Sequence, residues 1–203
     1  MTQPAAPLLG LFGGTFDPPH RGHLAVARAV RDAVPGIHVS FVVANDPWQK
    51  SDERVITPAE IRLEMTRALV KDEKEISVDG REVRRGGPTY TVDTLHELHD
   101  ENSQRELFLI VGADTASRIH TWHRSHDLIS LSTLIIVNRP GSAIDLAPEV
   151  AGWNHLVVSM EPVEVSSTAI RTAVARGESI SEMTTDGVAA VIRARGLYHE
   201  VVS

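Results

Sequence analysis

Cysteine is absent from these 203 residues, which excludes disulfides, thiolate catalysis and zinc–thiolate sites. Aromatic residues are scarce at 4% of the chain, so a tryptophan outside an obvious core counts as a candidate stacking surface. Runs of lysine or arginine are also missing, and the formal net charge is −7. A nucleic-acid binder is therefore not expected, and small anionic substrates would need a local positive site. No stretch approaches 18 consecutive apolar residues, and the opening Met-Thr-Gln-Pro-Ala-Ala-Pro has no basic region ahead of an apolar one. Neither a membrane span nor a signal peptide is expected, and a soluble cytoplasmic protein is the default. Internal repeats, low-complexity tracts and dividing linkers are lacking as well. Residues 1–203 read as one domain, long enough to bury about 70% of the surface of its unfolded chain.

What is present begins with residues 9–23, Leu-Gly-Leu-Phe-Gly-Gly-Thr-Phe-Asp-Pro-Pro-His-Arg-Gly-His. A short apolar run breaks into a Gly-rich turn and then two histidines three apart, an order that reads as strand, phosphate loop and helix start. Glycine lets a phosphate approach the backbone, and a helix N-terminus offers unpaired N–H groups and the positive end of its dipole. The turn has neither the Gly-Lys-Ser/Thr ending of a P-loop nor a G-x-G-x-x-G, so neither that phosphate-hydrolysing engine nor hydride transfer is suggested. His20 and His23 take the place of lysine as phosphate contacts. A metal pair at helical spacing and an ordinary surface turn of helix are the rival readings, but the metal reading gives the glycines no purpose, and no carboxylate lies four residues after either histidine. Asp17 before Pro18 reads equally as a turn former and as a functional group.

Two periodicities alternate along the chain. Residues Leu8–Phe12, His38–Val43, Glu106–Val111 and Thr133–Val137 read as buried strands, with His155–Met160 a weaker one. Helical patterns cover Gly22–Ala33, Pro58–Val70, with Pro58 in the first turn and Met65 and Leu69 in the core, and Val92–His99. A terminal helix over Met183–Arg195, followed by Gly196, is expected to cover the sheet. This alternation predicts an α/β, Rossmann-like, doubly wound parallel sheet with helices on both faces, its ligands bound beyond the carboxyl ends of the strands. Residues 45–55, with Pro47, Trp48 and Lys50, and residues 139–154 read as loops near that end. The charged run Asp72–Glu75 reads as a surface loop.

A second constellation is Ser166, Ser167, Thr168 and Arg171. Hydroxyl residues ahead of an Ala-Ile-Arg helical run are first an N-cap. With an arginine one turn in, the same helix end could also clamp the far end of a triphosphate, because guanidinium offers a bidentate fork to phosphate oxygens. The remaining histidines, His96, His99, His120, His123 and His126, have spacings open to metal ligation, but ten histidines produce such coincidences readily. They are assigned to solvated helix faces, and no protein metal site is expected. No nucleophile paired with a base stands out, nor any carboxylate dyad, so a covalent intermediate is not expected.

The string Gly13-Gly14-Thr15-Phe16-Asp17-Pro18-Pro19-His20-Arg21-Gly22-His23 resembles the (H/T)xGH signature of the nucleotidyltransferase superfamily. Further segments resemble its bacterial nicotinate-nucleotide adenylyltransferase branch: Gly87-Pro88-Thr89-Tyr90-Thr91-Val92-Asp93-Thr94-Leu95, then Gly112-Ala113-Asp114 with Trp122, and Val165-Ser166-Ser167-Thr168-Ala169-Ile170-Arg171. The resemblance implies transfer of the adenylyl group of ATP to nicotinate mononucleotide, giving nicotinate adenine dinucleotide and pyrophosphate in NAD biosynthesis. It implies catalytic roles for His20, His23 and Arg171, and ATP contacts at Gly13, Gly14, Thr15, Phe16, Gly22, Gly112, Asp114, Ser166, Ser167 and Thr168. Nicotinate mononucleotide falls to Thr15, Asn45, Trp48, Lys50, Thr89, Tyr90, Thr91 and Trp122. Where this family commonly carries Pro-Pro-His-Lys, the chain reads Asp46-Pro47-Trp48-Gln49-Lys50, so Gln49 replaces the usual histidine while Lys50 keeps a cation.

The acceptor's own ionised phosphate can attack the α-phosphorus directly, which leaves positioning and electrostatics to the protein. Mg2+ is expected on phosphate oxygens and water rather than in a protein cage. ATP and nicotinate mononucleotide are the expected partners, with no nucleic acid and no membrane, and with a homo-oligomer left open. Three alternatives stay open here: a superfamily transferase with another phosphate acceptor, a non-catalytic nucleotide-sensing module, and a metal-dependent hydrolase using the histidine pairs.

Overall fold

The computed structural model describes residues 6–46, 56–141, 144 and 146–199. Six strands run in the order β3-β2-β1-β4-β5-β6: β1 Leu8–Gly14, β2 Ile37–Val43, β3 Ile76–Asp79, β4 Glu106–Gly112, β5 Thr133–Asn138 and β6 His155–Ser159. The α-helices among the described residues are α1 Arg21–Ala33, α2 Ala59–Val70, α3 Arg81–Arg85, α4 Thr91–Glu101, α5 Ala113–Ala116, α6 Ser125–Leu131, α7 Ser167–Ala175 and α8 Asp186–Ala194. This strand order is that of the Rossmann-like doubly wound sheet, in which ligands bind where the order reverses, beyond the carboxyl end of a strand such as β1. By compactness the chain divides into two units interleaved in sequence: Met1–Gly13, Ala27–Ser40 and Tyr90–Glu161 in one, and Gly14–Val26, Phe41–Thr89 and Pro162–Ser203 in the other.

In the first unit, β1, β4, β5 and β6 pair in parallel, with Leu11 opposite Leu109, Ile110 opposite Ile135, and Val137 opposite Val158. Five consecutive residues of β4 and of β5 are buried, as expected of strands covered on both faces. Gly10 is required by packing, since a Cβ there would lie 2.8 Å from Ile110 Cδ1 and 3.0 Å from Ile37 Cδ1. The stretch read as a loop over 139–154 is partly built. It holds a 3₁₀ turn at Pro148–Val150 and buries Trp153, whose indole N–H donates 2.7 Å to the Ser132 carbonyl.

In the second unit, α2 packs on α8, and Leu63, Leu69, Val188 and Ile192 of the two helices are buried. The approach is close enough that a Cβ at Gly187 would come within 3.1 Å of the Ala68 carbonyl oxygen. Met65 and Leu69 lie in the core, as the periodicity predicts. Most boundaries lie within a residue or two of the sequence reading, and three of the differences have a local cause. β1 runs on through Gly13 and Gly14, so the turn begins at Thr15. Pro58 is the N-cap of α2 rather than a first-turn residue. α8 begins at Asp186 because Thr185 caps it, accepting from the Val188 N–H at 3.4 Å.

Candidate active site

The segment Thr15–His20 leads from β1 into α1, within the second unit. It is bonded through three consecutive carbonyls. Asp17 O accepts from Arg171 Nη1 at 2.8 Å, Pro18 O from Ser167 Oγ at 2.8 Å, and Pro19 O from Thr184 Oγ1 at 3.0 Å. Arg21 N then donates 3.0 Å to the Met183 carbonyl. Pro18 and Pro19 fix φ and carry no N–H, so carbonyl acceptors are how this stretch is held. Phe16 takes a left-handed φ of 51° and folds its ring back over β1, where it lies 5.3 Å from Phe41 and 5.0 Å from His23. That ring is why residue 14 is glycine: a Cβ there would come within 2.6 Å of Phe16 Cζ. Gly13 has no atom within 4 Å of such a Cβ.

The two histidines form one stacked pair, their rings 3.6 Å apart and 26° from parallel. The backbone N–H of His20 donates 3.2 Å to His23 Nδ1. With Nδ1 accepting, the neutral His23 ring carries its proton on Nε2 and presents a donor there. His20 is buried, and desolvation lowers its pKa from 6.5 to about 4, so it is neutral near pH 7. Its Nδ1 is buried with no partner among the described residues. Buried polar nitrogens are nearly always satisfied, so this atom is where a ligand oxygen or water is expected. Gly22 makes room for the arrangement, since a Cβ would sit 3.0 Å from His20 Nδ1 and 3.3 Å from Val165.

At α7 the hydroxyl residues have separate tasks. Ser166 is the N-cap, its Oγ accepting from the Ala169 N–H at 3.1 Å, as the pattern predicts. Ser167 bonds Pro18, and Thr168 Oγ1 accepts from Arg171 Nη2 at 3.0 Å. Arg171 is thereby directed along α7 toward Asp17. The structure thus brings His20, His23, Ser167, Thr168 and Arg171 into one bonded framework with two helix N-termini, α1 and α7. Such ends favour anions.

Two members of this framework went unnoticed in the sequence. Arg62 is 1% exposed and donates to four main-chain carbonyls: Thr57 at 2.7 Å, Thr15 at 2.8 Å, Ala44 at 2.6 Å and Asn45 at 2.8 Å. Its signal was a charge on the stripe that Met65 and Leu69 continue. Tyr198 is the other, donating 2.5 Å to Asp17 Oδ1 while Thr57 N donates 3.3 Å to Oδ2. Asp17 is 2% exposed, so its carboxyl has a definite structural task beyond shaping a turn.

The other candidates lie as follows. Thr89 Oγ1 accepts from Asn45 N at 3.0 Å and Asp46 N at 3.3 Å, and the Asn45 amide donates 3.0 Å to Gly87 O. In the first unit, Tyr90 is the N-cap residue of α4 and Thr91 its first residue. The Tyr90 ring lies 4.3 Å from that of His123, so His123 is a packing partner rather than only a solvated surface residue. Trp122 is half-buried and ends a 3₁₀ turn over Ile119–Thr121. Gly112 caps α5, and Asp114 is exposed in its first turn. Trp48 and Lys50, with Gln49, lie outside the described residues. Among the described residues no group of three or more histidine or carboxylate side chains could hold a metal, and no helix is long and apolar enough to cross a membrane.

A cytidylyltransferase-like family model matches residues 11–173. The chain is 41% identical to the probable nicotinate-nucleotide adenylyltransferase of Corynebacterium kroppenstedtii over 195 residues, 95% of this chain and 91% of that protein. It is also 41% identical to the probable nicotinate-nucleotide adenylyltransferase of Streptomyces coelicolor, over 92% of this chain and 98% of that one. Its fold is similar to that of the Plasmodium falciparum nicotinic acid mononucleotide adenylyltransferase solved with NaAD. There the TM-score is 0.76 at 16% identity, covering 97% and 99% of the two chains. On its sequence, the chain belongs to the cytidylyltransferase-like family and, within it, to the nicotinate-nucleotide adenylyltransferases.

Proposed function

We propose that the chain transfers the adenylyl group of ATP to nicotinate mononucleotide, yielding nicotinate adenine dinucleotide and pyrophosphate as a step in NAD biosynthesis. The observation that carries this reading is the bonded framework of α1, α7 and the segment between β1 and α1, in which Ser167 and Arg171 hold the carbonyls of Pro18 and Asp17. It supports one extended anion spanning two helix N-termini, as a triphosphate does. A single phosphate would need only one of them.

In this reading His20 and His23, with the Gly14 and Thr15 amides, take the α- and β-phosphates, and Ser167, Thr168 and Arg171 take the β- and γ-phosphates. The His20 ring is neutral, so it acts as a hydrogen-bond partner rather than as a charge. Arg171 supplies the cation, placed where charge builds on the departing pyrophosphate. The acceptor phosphate is ionised already and attacks the α-phosphorus in line. The bond from the α-phosphorus to the β-bridging oxygen breaks, and no enzyme-bound adenylate forms. Mg2+ would be held by the triphosphate oxygens and water and would neutralise their charge, which fits a framework whose own carboxyl, Asp17, is taken up by Tyr198 and Thr57. Thr89, Tyr90, Thr91 and Trp122 are assigned to the nicotinate moiety, and Gly112 and Asp114 to adenosine. The chemistry suits the cytoplasm, where ATP is supplied.

Product analysis tests the reading. With ATP, Mg2+ and nicotinate mononucleotide, the purified chain is expected to form the dinucleotide and pyrophosphate in equal amounts. Hydrolysis of ATP to inorganic phosphate at the same rate without acceptor would overturn it.

A further inference from the structure

We infer that Tyr198 is a positioning residue for the phosphate framework, setting the direction of Arg171 through Asp17. The α8 helix ends with Leu197 N donating 3.0 Å to Ile192 O, and Gly196 takes a left-handed φ of 59° that turns the chain back. Tyr198 follows with a φ of 63°, a conformation that a bulky residue keeps only when its surroundings demand it. The demand here is the hydroxyl. It donates 2.5 Å to Asp17 Oδ1 and accepts from Thr57 Oγ1 at 3.3 Å.

Asp17 is bonded at both ends. Its carboxyl meets Tyr198 and the Thr57 N–H, and its main-chain oxygen receives Arg171 Nη1. Asp17 precedes a proline, which restricts its backbone, so a carboxyl pinned by Tyr198 and Thr57 limits where its main-chain oxygen can point. The Tyr198 pKa is raised, first by burial and then by the Asp17 charge, so the hydroxyl keeps its proton and remains a donor at working pH. Tyr198 feels the Arg171 charge, and its hydrogen-bonded link to that residue is Asp17. It acts through Asp17, from a part of the chain 181 residues away.

This inference rests on the reading of the framework as a triphosphate site. Its test is a double-substitution cycle with Tyr198→Phe, Arg171→Lys and the pair, read in kcat, in both KM values for dinucleotide synthesis, and in inorganic tripolyphosphate affinity by calorimetry. Tyr198→Phe is expected to lower kcat and tripolyphosphate affinity about 10-fold while KM for the mononucleotide stays within about twofold. The pair should fall no more than about twofold below Arg171→Lys alone, the sign of two residues acting through one linkage. If Tyr198→Phe melts below the assay temperature, Thr57→Val, which removes the donor to the same hydroxyl, is read in the same cycle. Losses that multiply in the pair, or a Tyr198→Phe within twofold of wild type, overturn the inference. So does an equal rise in KM for the mononucleotide, as does a wild type that binds no tripolyphosphate. A wild type that makes no dinucleotide yet shows the coupled tripolyphosphate losses overturns adenylyl transfer and leaves the positioning role standing.

Discussion

Arg62 donates 2.8 Å to the carbonyl of Thr15, so a guanidinium on α2 fixes the first residue of the segment that carries the proposed phosphate contacts. The same group holds the Ala44 and Asn45 carbonyls after β2 and the Thr57 carbonyl before α2. One buried cation thus joins three chain segments by charge-assisted bonds.

Removing that cation should be among the most damaging single changes in the second unit. Arg62→Met keeps an unbranched apolar stem but leaves buried carbonyls without partners, at about 1–3 kcal/mol for each one that water cannot reach. A total loss on the order of 3–5 kcal/mol is expected in urea unfolding. Arg195→Ala, which breaks an exposed 2.9 Å ion pair with Glu64, should cost under about 1 kcal/mol. Comparable losses in the two variants would contradict the role given to Arg62.

His20→Ala and His23→Ala should each lower kcat by roughly 10²- to 10³-fold, the scale for loss of one transition-state donor. The two should differ in how they fail. His23 Nδ1 also holds the His20 N–H, so His23→Ala loosens the loop and should raise KM for ATP as well. Turnover near that of the wild type in both variants would remove the histidines from the site.

The burial of His20 sets a direction for stability against pH. Its pKa is about 4 when folded and 6.5 when unfolded, so between those values the unfolded chain binds the extra proton. The contribution is fully present above pH 6.5 and is lost as pH falls from there through about 4. His20→Gln should therefore flatten the fall in Tm over that window, and an NMR titration of His20 should show its midpoint near 4. A midpoint near 6.5 would mean an exposed ring and a different loop.

If Trp122 stacks on the pyridine ring while main-chain N–H groups near Thr89–Thr91 receive the carboxylate, the acid should be preferred to the amide. An amide places NH2 against donors, a mismatch costing on the order of 1–3 kcal/mol. Trp122→Ala should raise KM for both mononucleotides by a similar factor and preserve the preference. Steady-state kcat/KM for each mononucleotide checks this, and an unchanged KM would assign Trp122 to packing.

The sheet was legible because Leu8–Phe12, Glu106–Val111 and Thr133–Val137 are apolar runs of strand length between polar turns, and each is a strand of the structure. β3 escaped notice because Ile-Ser-Val-Asp offers four residues and one alternation, too little for a periodicity. α6 was missed for the same reason, its seven residues making under two turns. In the candidate site, short motifs marked His20, His23, Ser166 and Arg171 as residues of two helix starts, since helix starts write themselves into neighbouring residues. Tyr198 and Asp17 are joined across 181 residues, a pairing that no local pattern encodes.

In the proposed reaction the acceptor phosphate attacks ATP directly while the protein holds both in line. Synthesis from ATP made chiral at the α-phosphorus with sulfur and 18O tests it, by reading the configuration of the dinucleotide product. One in-line displacement predicts inversion at that phosphorus. Retention would require two displacements and an adenylated protein group, and would contradict the account.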